Sequence, residues 1–300
     1  AIPHPIPGDD LESIYFLSET TAFITAENGK ILRSSDGGAT WTVYFSPAPN
    51  DLYKAQFAST LIGFAVGRDG GIVKTTNGGT IWTAQSSGTA NRLHGIHLFS
   101  ATSAIVVGRS STYLSTTNGG STWTPTAAGI PGDLYDIEFV DNTTGYIAAE
   151  FGAYKSINGG ATWAAMTLPA FTQWNSVHFV NANEGYLCGV GGIMLQTLDG
   201  GASWTSIPLA STLELMDVFV SDAGNGIVVG ENGMMRVNCQ EIAVCLGDFN
   251  LDGFINTEDL LILLTSLGCL SGCANDMTGD DMVTTSDLLA FLAVFGTPCG

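Results

Sequence analysis

Positive charge is scarce in this chain. Its 300 residues include nine Lys and Arg against 28 Asp and Glu, a formal net charge of −19. A surface of that sign repels the phosphates of nucleic acids and anionic lipid headgroups, so the sequence argues against binding to either. Long apolar runs are missing as well, because none reaches the ~18 residues that a membrane-spanning helix needs.

The signatures of common hydrolases are absent too. The chain has no Gly-x-Ser-x-Gly nucleophile elbow and no His-Glu-x-x-His zinc motif. Four histidines are present, His4, His94, His97 and His178, and they do not cluster by spacing. His94 and His97 are expected on opposite faces of one strand because their spacing is odd. We therefore predict that the protein has no catalytic residues and is not an enzyme.

Glycine is plentiful, with 38 residues, and much of it lies in an eight-residue phrase that occurs five times. Each copy reads Ser or Thr, any residue, Asp or Asn, Gly-Gly, two further residues and Trp. The tryptophans are 41, 41, 40 and 41 residues apart. A fixed period of this size is typical of one supersecondary unit stacked on copies of itself. The copies are 34–41, 75–82, 116–123, 156–163 and 197–204.

The phrase has the chemistry of a tight turn. Asp or Asn before Gly-Gly supplies side-chain-to-backbone hydrogen bonds and positive φ angles, so each copy is predicted to join two strands of a hairpin. The Trp then begins the outgoing strand and gives each unit a large anchor against its neighbour. With the short apolar runs before the phrase, each unit of about 40 residues predicts four antiparallel strands, as in a propeller blade.

Six units are predicted, and the sixth ends without the phrase or its Trp. Ile2–Ile6 aligns with Trp204–Pro208, the place of a fourth strand in the preceding unit. We therefore expect this N-terminal strand to pair with Met234–Val237 and close the ring, with an N-terminal tail that takes no part as the alternative. The units start at Leu11, Leu52, Leu93, Leu134, Trp174 and Leu213.

The phrase has the residues of the Asp-box. The whole unit resembles the repeats of the YCF48-like photosystem assembly factors and the BNR repeats of sialidases, over about residues 11 to 238. This resemblance implies a mainly β fold, a six-bladed β-propeller over residues 1–238 that the N-terminal strand closes. It implies no particular activity.

A sialidase-like enzyme is one alternative that the resemblance raises. As that family operates, its chemistry needs three arginines on the substrate carboxylate, a Tyr nucleophile with a Glu partner, and an Asp acid. This chain has five arginines, none in the Arg-Ile-Pro setting of that family. Arg68 and Arg109 follow Val-Gly in neighbouring units, where they could hold a ligand at the propeller face, although solvated loop residues are the simpler interpretation.

Composition changes after Asn238, because residues 239–300 hold nine acidic residues and no Lys or Arg. Asp248–Asp259 and Asp276–Asp287 both fit the calcium loop, with side-chain oxygens at positions 1, 3, 5, 9 and 12 and a carbonyl at position 7. A Leu-rich helix follows each loop and is predicted to end at Gly268 or Gly296. Both helices are apolar nearly all round, so another surface must cover them, either the propeller or a second molecule.

Two loop-helix units in tandem, with Asp closing each loop and no entering helix, resemble a type I dockerin domain. The resemblance implies a paired F-hand over residues 248–300, after a linker at 239–247, that binds two Ca²⁺ ions. The second site departs from the pattern at Thr278 and Asp281, which lowers its expected affinity. The implied ligands are Asp248, Asn250, Asp252, Phe254 through its carbonyl, Asn256 and Asp259 in the first site, and Asp276, Thr278, Asp280, Met282 through its carbonyl, Thr284 and Asp287 in the second.

The same resemblance implies roles for further residues. In that family, loop positions 10 and 11 help to recognise cohesin, and here these are Thr257, Glu258, Thr285 and Ser286. A dockerin-like arrangement brings the chain ends together, which favours the disulfides Cys245–Cys299 and Cys269–Cys273, although six cysteines allow 15 pairings. Cys188 lies in an apolar strand and is interpreted as a buried thiol. The crowded C-terminal cysteines favour a secreted or cell-surface protein.

These features predict a non-catalytic, extracellular interaction or assembly protein. Its calcium-loaded module would dock to a protein partner, either a cohesin-like domain or the propeller of another copy, and the second choice would give a head-to-tail filament. The propeller would be a rigid scaffold or binding disc. The alternatives are a carbohydrate-active, sialidase-like enzyme and a YCF48-like assembly factor.

Overall fold

The computed structural model describes residues 5–170, 172–209, 212–221, 225–230, 233–238, 255–269, 277 and 282–296. The chain divides into two compact units. The first consists of Ala1–Asp222 with Gly226–Val237, and the second of Ala223–Asn225 with Asn238–Gly300. Strands dominate the first unit, with short 3-10 turns at Glu27–Gly29, Arg68–Gly70 and Val190–Gly192, and the two α-helices of the described residues lie in the second. No helix within these ranges is long and apolar enough to cross a membrane.

The first unit is a series of antiparallel sheets, and within each sheet consecutive strands of the chain pair with one another. We number the sheets 1 to 6 in chain order. Sheets 1 to 5 have four strands each, and sheet 6 has three within the described residues. This repeated arrangement is propeller-like, as the sequence predicts.

The strand bounds follow. They are β1 Leu11–Phe16, β2 Ala22–Ala26, β3 Lys30–Ser34 and β4 Thr42–Phe45 in sheet 1; β5 Leu52–Phe57, β6 Gly63–Gly67, β7 Ile72–Thr75 and β8 Thr83–Gln85 in sheet 2; β9 Leu93–Leu98, β10 Ala104–Gly108, β11 Thr112–Thr116 and β12 Thr124–Pro125 in sheet 3; β13 Leu134–Phe139, β14 Gly145–Ala149, β15 Gly152–Ser156 and β16 Ala164–Ala165 in sheet 4; β17 Trp174–Phe179, β18 Gly185–Gly189, β19 Met194–Thr197 and β20 Thr205–Ile207 in sheet 5; and β21 Leu215–Val220, β22 Asn225–Gly230 and β23 Gly233–Asn238 in sheet 6.

Every Asp-box forms the predicted turn between the third and fourth strands of its sheet. In the first box, the Gly38 amide donates to Ser34 Oγ at 2.8 Å and the Thr40 amide donates to Asp36 Oδ1 at 2.9 Å. Gly37 and Gly38 have φ angles of 73° and 90°, which a residue with a Cβ rarely adopts. The other four boxes repeat both bonds at 2.8 to 3.0 Å.

Neighbouring sheets are held together by aromatic side chains. Phe23 of sheet 1 stacks on Phe57 of sheet 2 with ring centroids 4.1 Å apart, and Trp82 of sheet 2 packs edge-on against Phe57 at 5.9 Å. Tyr146 and Phe179 repeat this stack between sheets 4 and 5 at 3.7 Å. The tryptophan that ends the second box therefore reaches the core between sheets, as the sequence predicts.

Lysines reinforce the contact between sheets 2 and 3 and the contact between sheets 4 and 5. Lys74 Nζ lies 5.3 Å from the centre of the Phe64 ring and donates to the Gly119 carbonyl of the next box at 2.7 Å. Lys155 makes the equivalent contacts, 5.5 Å from the Tyr146 ring centre and 2.6 Å from the Gly200 carbonyl. Part of the scarce positive charge thus stabilises the contact between neighbouring sheets.

Of the predicted N-terminal strand, residues 1–4 lie outside the described residues. Ile6 is buried, and it packs on Ile24, Ala26 and Leu32 of sheet 1. Asp9 holds this segment against the same sheet through an ion pair with Lys30, 2.6 Å between Oδ1 and Nζ. Closure of a six-bladed ring by pairing with Met234–Val237 therefore stays a prediction.

The second unit contains α1 Thr257–Ser266 and α2 Thr285–Val294, which end just before Gly268 and Gly296 as predicted. The glycine just after each helix donates a hydrogen bond to the predicted loop that precedes the other helix. The Gly268 amide donates to the Val283 carbonyl at 2.8 Å, and the Gly296 amide donates to the Ile255 carbonyl at 2.7 Å. Ile255 and Val283 both occupy position 8 of their predicted loops. The two halves are therefore joined reciprocally.

The helices of the second unit bury one side and expose the other. Its core consists of Ile255, Leu263, Met277, Val283 and Phe291. Large apolar side chains on the outer side are exposed, so the covering surface that the sequence predicts for these helices stays a prediction. They are Leu261, Leu264, Leu267, Leu289, Leu292 and Phe295.

The boxes should make the propeller sensitive to acid. The hydroxyl and amide of Thr40 lower the pKa of Asp36 to about 2, and those of Ser203 do the same for Asp199. Since both folded-state pKa values lie below the ~3.9 of an unfolded chain, this stabilisation is present above pH 4 and is lost as the pH falls towards 2.

We predict that Asp36→Asn with Asp199→Asn lowers the thermal midpoint slightly at pH 7, where the ionised carboxylates stabilise the wild type, and reduces its fall between pH 4 and pH 2.5. Asn77, Asn118 and Asn158 hold the same place in the other boxes, so the amide fits this turn. Calorimetry against pH provides the measurement, with Asp10→Asn as the matched control. An unchanged acid profile in the double variant would contradict the assignment.

Candidate functional site

The innermost strand of each sheet carries a bulge that points one residue out of the ladder. The register of β5 passes from Leu52 to Lys54, and that of β13 from Leu134 to Asp136, so Tyr53 and Tyr135 have no partner on the adjoining strand. On β9, His94 likewise has no partner on the adjoining strand, because the register passes from Leu93 to Gly95. Bulges of this kind re-aim side chains and are common beside functional sites.

Three bulge residues form a row across sheets 2, 3 and 4, which we call the aromatic row. The rings of Tyr53 and His94 meet edge to face with centroids 5.8 Å apart. His94 and Tyr135 are stacked at 5.3 Å with an angle of 8° between their planes. All three side chains are half-buried. The row therefore presents partly accessible aromatic surface at the edge where these strands begin.

Burial fixes the protonation states in the row. It lowers the pKa of His94, so the imidazole is neutral at pH 7. His94 Nδ1 lies 3.0 Å from the Leu134 carbonyl, which can only accept, so Nδ1 carries the proton and Nε2 is left as an acceptor. Burial, with Asp133 and Glu150, raises the pKa of Tyr135 to about 12, so the phenol keeps its proton and can donate.

Arginines flank the row along its length, and we call Arg68, Arg92 and Arg109 the arginine border. Arg68 Nη1 lies 3.3 Å from Asp51 Oδ2, and Arg109 Nε lies 3.1 Å from Asp133 Oδ2. Both arginine side chains remain about half exposed, at 47% and 55%. Arg92 acts electrostatically on Tyr53 and His94. The arginines predicted from their Val-Gly setting therefore flank the aromatic row.

Carboxylates flank the row as well. Glu150 Oε2 accepts from the Asp133 amide at 3.1 Å. Glu214 Oε1 accepts from Asn175 Nδ2 at 2.9 Å. Charges of both signs therefore act on Tyr53 and on Tyr135. An elongated ligand with rings or apolar groups and at least one carboxylate fits this chemistry.

A second polar cluster lies on the same innermost strands. Lys54 of sheet 2 donates to the Asp136 carboxylate of sheet 4. At the equivalent place in sheet 3 stands Gly95, where a Cβ would meet Val107 Cγ2 at 3.0 Å and Asp136 Cα at 3.2 Å. The missing side chain at Gly95 therefore allows the lysine to reach past sheet 3.

The cluster continues into sheets 5 and 6. Asp136 Oδ2 accepts from the Val177 amide at 3.3 Å, and Ser176 Oγ lies 2.6 Å from Asp217 Oδ1. Burial lowers the pKa of Lys54, but the carboxylates of Asp136 and Asp217 raise it further, and the net shift is upward. Lys54 therefore stays charged, and a charged lysine serves as an ion-pair partner rather than as a nucleophile.

His178 bridges neighbouring strands. His178 Nε2 lies 2.9 Å from the Val220 carbonyl and its Nδ1 lies 3.6 Å from Glu138 Oε2. Burial opposes protonation of His178, yet Glu138 raises its pKa overall. Burial lowers the pKa of His97 to about 4. Within the described part of the chain, no three His, Cys, Asp or Glu residues are placed to hold a metal ion.

Most of the predicted calcium ligands lie outside the described residues. Of the ligands that are described, Asp259 and Asp287 are fully buried at the third positions of α1 and α2. Asp259 Oδ2 accepts from the Asn256 amide at 3.0 Å and Asp287 Oδ2 from the Thr284 amide at 2.7 Å. Met282 is also described. The ligands outside are Asp248, Asn250, Asp252, Phe254, Asp276, Thr278 and Asp280.

The predicted partner-binding residues Thr257, Glu258, Thr285 and Ser286 are exposed at the starts of the two helices. Cys188 is a buried free thiol on β18, as expected. Cys269 is disulfide-bonded. Cys245, Cys273 and Cys299 lie outside the described residues, so the pairing stays a prediction.

Sequence reasoning missed the aromatic row and the Lys54–Asp136 cluster. The signal for the row was available, since Tyr53, His94 and Tyr135 each follow the first residue of their unit. Aligning the units column by column would have shown it. No comparable signal existed for the cluster, because Lys54 and Asp136 stand in different units and only Gly95 between them allows contact.

The repeated sheets, the Asp-boxes and the inter-sheet aromatic cores define the class of this protein as a BNR-repeat propeller. A family model described as "Photosynthesis system II assembly factor YCF48" matches residues 46–170 and 125–228, more than half of the chain. The chain belongs to this YCF48 family. A comparison with curated protein sequences finds no match.

Solved structures support the same fold. A structure of YCF48 bound to a D1 peptide has a TM-score of 0.63 at 17% identity, over 81% of this chain and 82% of that one. YCF48 from Cyanidioschyzon merolae has a TM-score of 0.57 at 19% identity, over 78% and 96%. A GH74 enzyme from Niastella koreensis has a TM-score of 0.65 at 17% identity, over 76% of this chain and 45% of that one. At these identities the likeness shows the fold alone.

Proposed function

We propose that this protein is a non-catalytic binding propeller with an assembly role, and that the aromatic row with its arginine border binds an extended segment of a partner protein. The observation that carries the proposal is the convergence of Tyr53, His94 and Tyr135 from three sheets into one accessible row. Ligand sites of proteins are typically lined by aromatic and apolar side chains with a few convergent polar groups, and the row has this composition.

The dimensions of the row suit a peptide. The centroid spacings of 5.8 and 5.3 Å together match the reach of about three residues of extended chain, at ~3.3 Å each. Aromatic faces accept apolar or planar side chains, and the half-exposed guanidinium groups can hold a carboxylate. YCF48 has been solved with a D1 peptide, so a related propeller does hold a peptide.

We expect Tyr53→Ala and Tyr135→Ala each to weaken peptide binding about tenfold or more, the usual cost of truncating a central aromatic anchor. Arg109→Ala should weaken acidic peptides selectively and reduce the salt dependence of their binding. Short synthetic peptides with free carboxyl termini would first be screened on an array. The strongest binders would then be titrated by fluorescence anisotropy.

Tyr44→Ala is the matched control, because Tyr44 is a half-buried tyrosine on β4, away from the row. It should leave the affinity unchanged. Equal losses in the control and the row variants, or no loss in any of them, would contradict the proposed site.

The absence of enzyme activity is part of the same proposal. Two residues support this part of the proposal. Lys54 stays charged, and the neutral His94 is bonded to a carbonyl, so neither is arranged as a nucleophile with its base. Saturable hydrolysis of a sialoside or another glycoside by the pure protein, abolished by Arg68→Ala or Arg109→Ala, would overturn it.

We further propose that the C-terminal module binds two Ca²⁺ ions and docks to a protein partner outside the cell. The described part of the predicted ligand set fits this cation, because carboxylate, amide and hydroxyl oxygens are the donors that calcium prefers. Asp259 and Asp287 support the proposal as fully buried carboxylates at position 12 of each loop. The exposed leucines of α1 and α2 would form the docking surface, facing a cohesin-like domain or another copy.

Calcium should raise the thermal midpoint of the protein, since an ion that binds only the folded state stabilises it by mass action. We predict that Asp259→Asn loses most of this rise and Asp287→Asn loses less, because the second loop departs from the pattern. Calorimetric titration of Ca²⁺ into chelator-treated protein gives the stoichiometry. Asp141→Asn, an exposed turn residue of sheet 4, is the control. Unchanged binding of two ions by Asp259→Asn would contradict this assignment.

A further inference from the structure

Each bulge of the aromatic row is followed at once by a residue that rejoins the strand ladder. In β5 this residue is Lys54, and in β13 it is Asp136. Between them, Gly95 rejoins the ladder of β9. A lysine, a glycine and an aspartate therefore stand directly after the three residues of the row, in the same order across sheets 2, 3 and 4.

The two ends of the row are held differently. His94 Nδ1 donates to the Leu134 carbonyl at 3.0 Å, and its ring is stacked on Tyr135, so sheets 3 and 4 share a direct polar link at the row. Tyr53 meets His94 through an edge-to-face ring contact, and within the described residues its side chain makes no hydrogen bond. The position of Tyr53 therefore depends on how its own strand is held.

The Lys54–Asp136 ion pair joins the strands that carry the two tyrosines. Lys54 donates to the Asp136 carboxylate across sheet 3, and the aspartate side chain is only 5% exposed. Asp136 is itself fixed, because its carboxylate also accepts from the Ile137 and Val177 amides at 2.8 and 3.3 Å. Its Oδ2 lies 3.3 Å from Ser176 Oγ as well. An ion pair with one partner held this firmly restricts the spacing of the two strands.

Gly95 leaves the space that this span requires. It lies in an ordinary strand and is not one of the glycines with a positive φ angle, so the backbone conformation alone does not call for glycine. A Cβ at Gly95 would meet Asp136 Cα at 3.2 Å, so a side chain there would press on the strand of the aspartate. The glycine is therefore explained by the packing between Lys54 and Asp136 rather than by a turn.

We propose that Lys54 and Asp136 are positioning residues of the aromatic row, whose ion pair holds the Tyr53 ring at the distance from Tyr135 that an extended ligand segment requires. This role rests on the proposed peptide site, which the pair serves through Tyr53 rather than by touching the ligand. Holding a binding side chain in place beforehand strengthens binding, because less freedom is lost when the ligand arrives.

Fluorine NMR of the full chain labelled with fluorotyrosine tests this placement without any ligand. Tyr53→Phe identifies the Tyr53 signal by removing it. Lys54→Met removes the charge and keeps a side chain of similar bulk, and it should shift and broaden the Tyr53 signal because the ring gains freedom. The signal of Tyr113, a buried ring that donates to the Gly160 carbonyl at 3.0 Å, should stay unchanged.

A second variant covers the case in which Lys54→Met fails to fold. Removing one member of a buried ion pair leaves an uncompensated charge, which is strongly destabilising. Lys54→Met with Asp136→Asn removes both charges, and the amide oxygen can still accept from the backbone. This double variant should shift the Tyr53 signal as well.

The same variants are then titrated with the peptides that bind the wild type. Lys54→Met should weaken their binding about fivefold, the cost of ordering one side chain on binding. Lys74→Met is the matched control, because Lys74 joins sheets 2 and 3 at the Gly119 carbonyl of a box, away from the row. It should lower the thermal midpoint and leave both the affinity and the Tyr53 signal unchanged. Lys54→Arg keeps the charge and the reach, and it should restore both.

A Tyr53 signal that stays in place in both Lys54→Met and the double variant would overturn the proposal, and so would a shifted signal with unchanged peptide affinity. Equal losses of affinity in Lys54→Met and Lys74→Met would also overturn it, since the pair would then act through general stability. If no peptide binds the wild type, the proposed function fails. A shifted Tyr53 signal would then still support the placement, and an unshifted one would overturn it.

Discussion

The fold depends on one hydrogen bond, the one that a box glycine amide donates to the hydroxyl group four residues before it. In the first box this bond joins the Gly38 amide to Ser34 Oγ at 2.8 Å. It holds two glycines at positive φ and so turns the chain between the third and fourth strands. The turn also presents glycine carbonyls to the preceding sheet, where Lys74, Tyr113 and Lys155 donate to them. The same bond therefore shapes each sheet and orders its contact with the neighbour.

Positive charge is scarce in this chain, and several of its lysines and arginines have a clear structural role. Lys74 and Lys155 stabilise contacts between sheets, Lys30 holds the N-terminal segment, and Lys54 joins sheets 2 and 4. Arg68 and Arg109 remain half exposed beside the aromatic row. In a protein with so many carboxylates, these half-exposed arginines are the distinctive electrostatic feature, and they offer positive charge beside the row to an anionic group of a ligand.

Much of this fold could be predicted from sequence because its signals are local. The box, its tryptophan and the period of the repeat specify the strands and turns, and the glycines at 268 and 296 specify the helix ends. The aromatic row and the Lys54–Asp136 cluster depend instead on residues about one or two units apart in sequence. Their convergence depends on the register of the bulges and on a missing side chain at Gly95, which no single unit reveals.

The ends of the repeat array follow a different logic from its middle. A terminal repeat normally carries a polar outer face, because no neighbour covers it. Here the outer faces are apolar at both ends, with Ile14 and Phe16 on one side and Ile227 and Val229 on the other. Apolar surface of this kind is stabilised when another surface covers it, since exposure alone carries a cost in water. The Asp–Ser pairing of an internal junction also recurs across the two ends, with Asp217 on sheet 6 and Ser13 on sheet 1, so the two faces carry the complementary groups that closure of the ring would need.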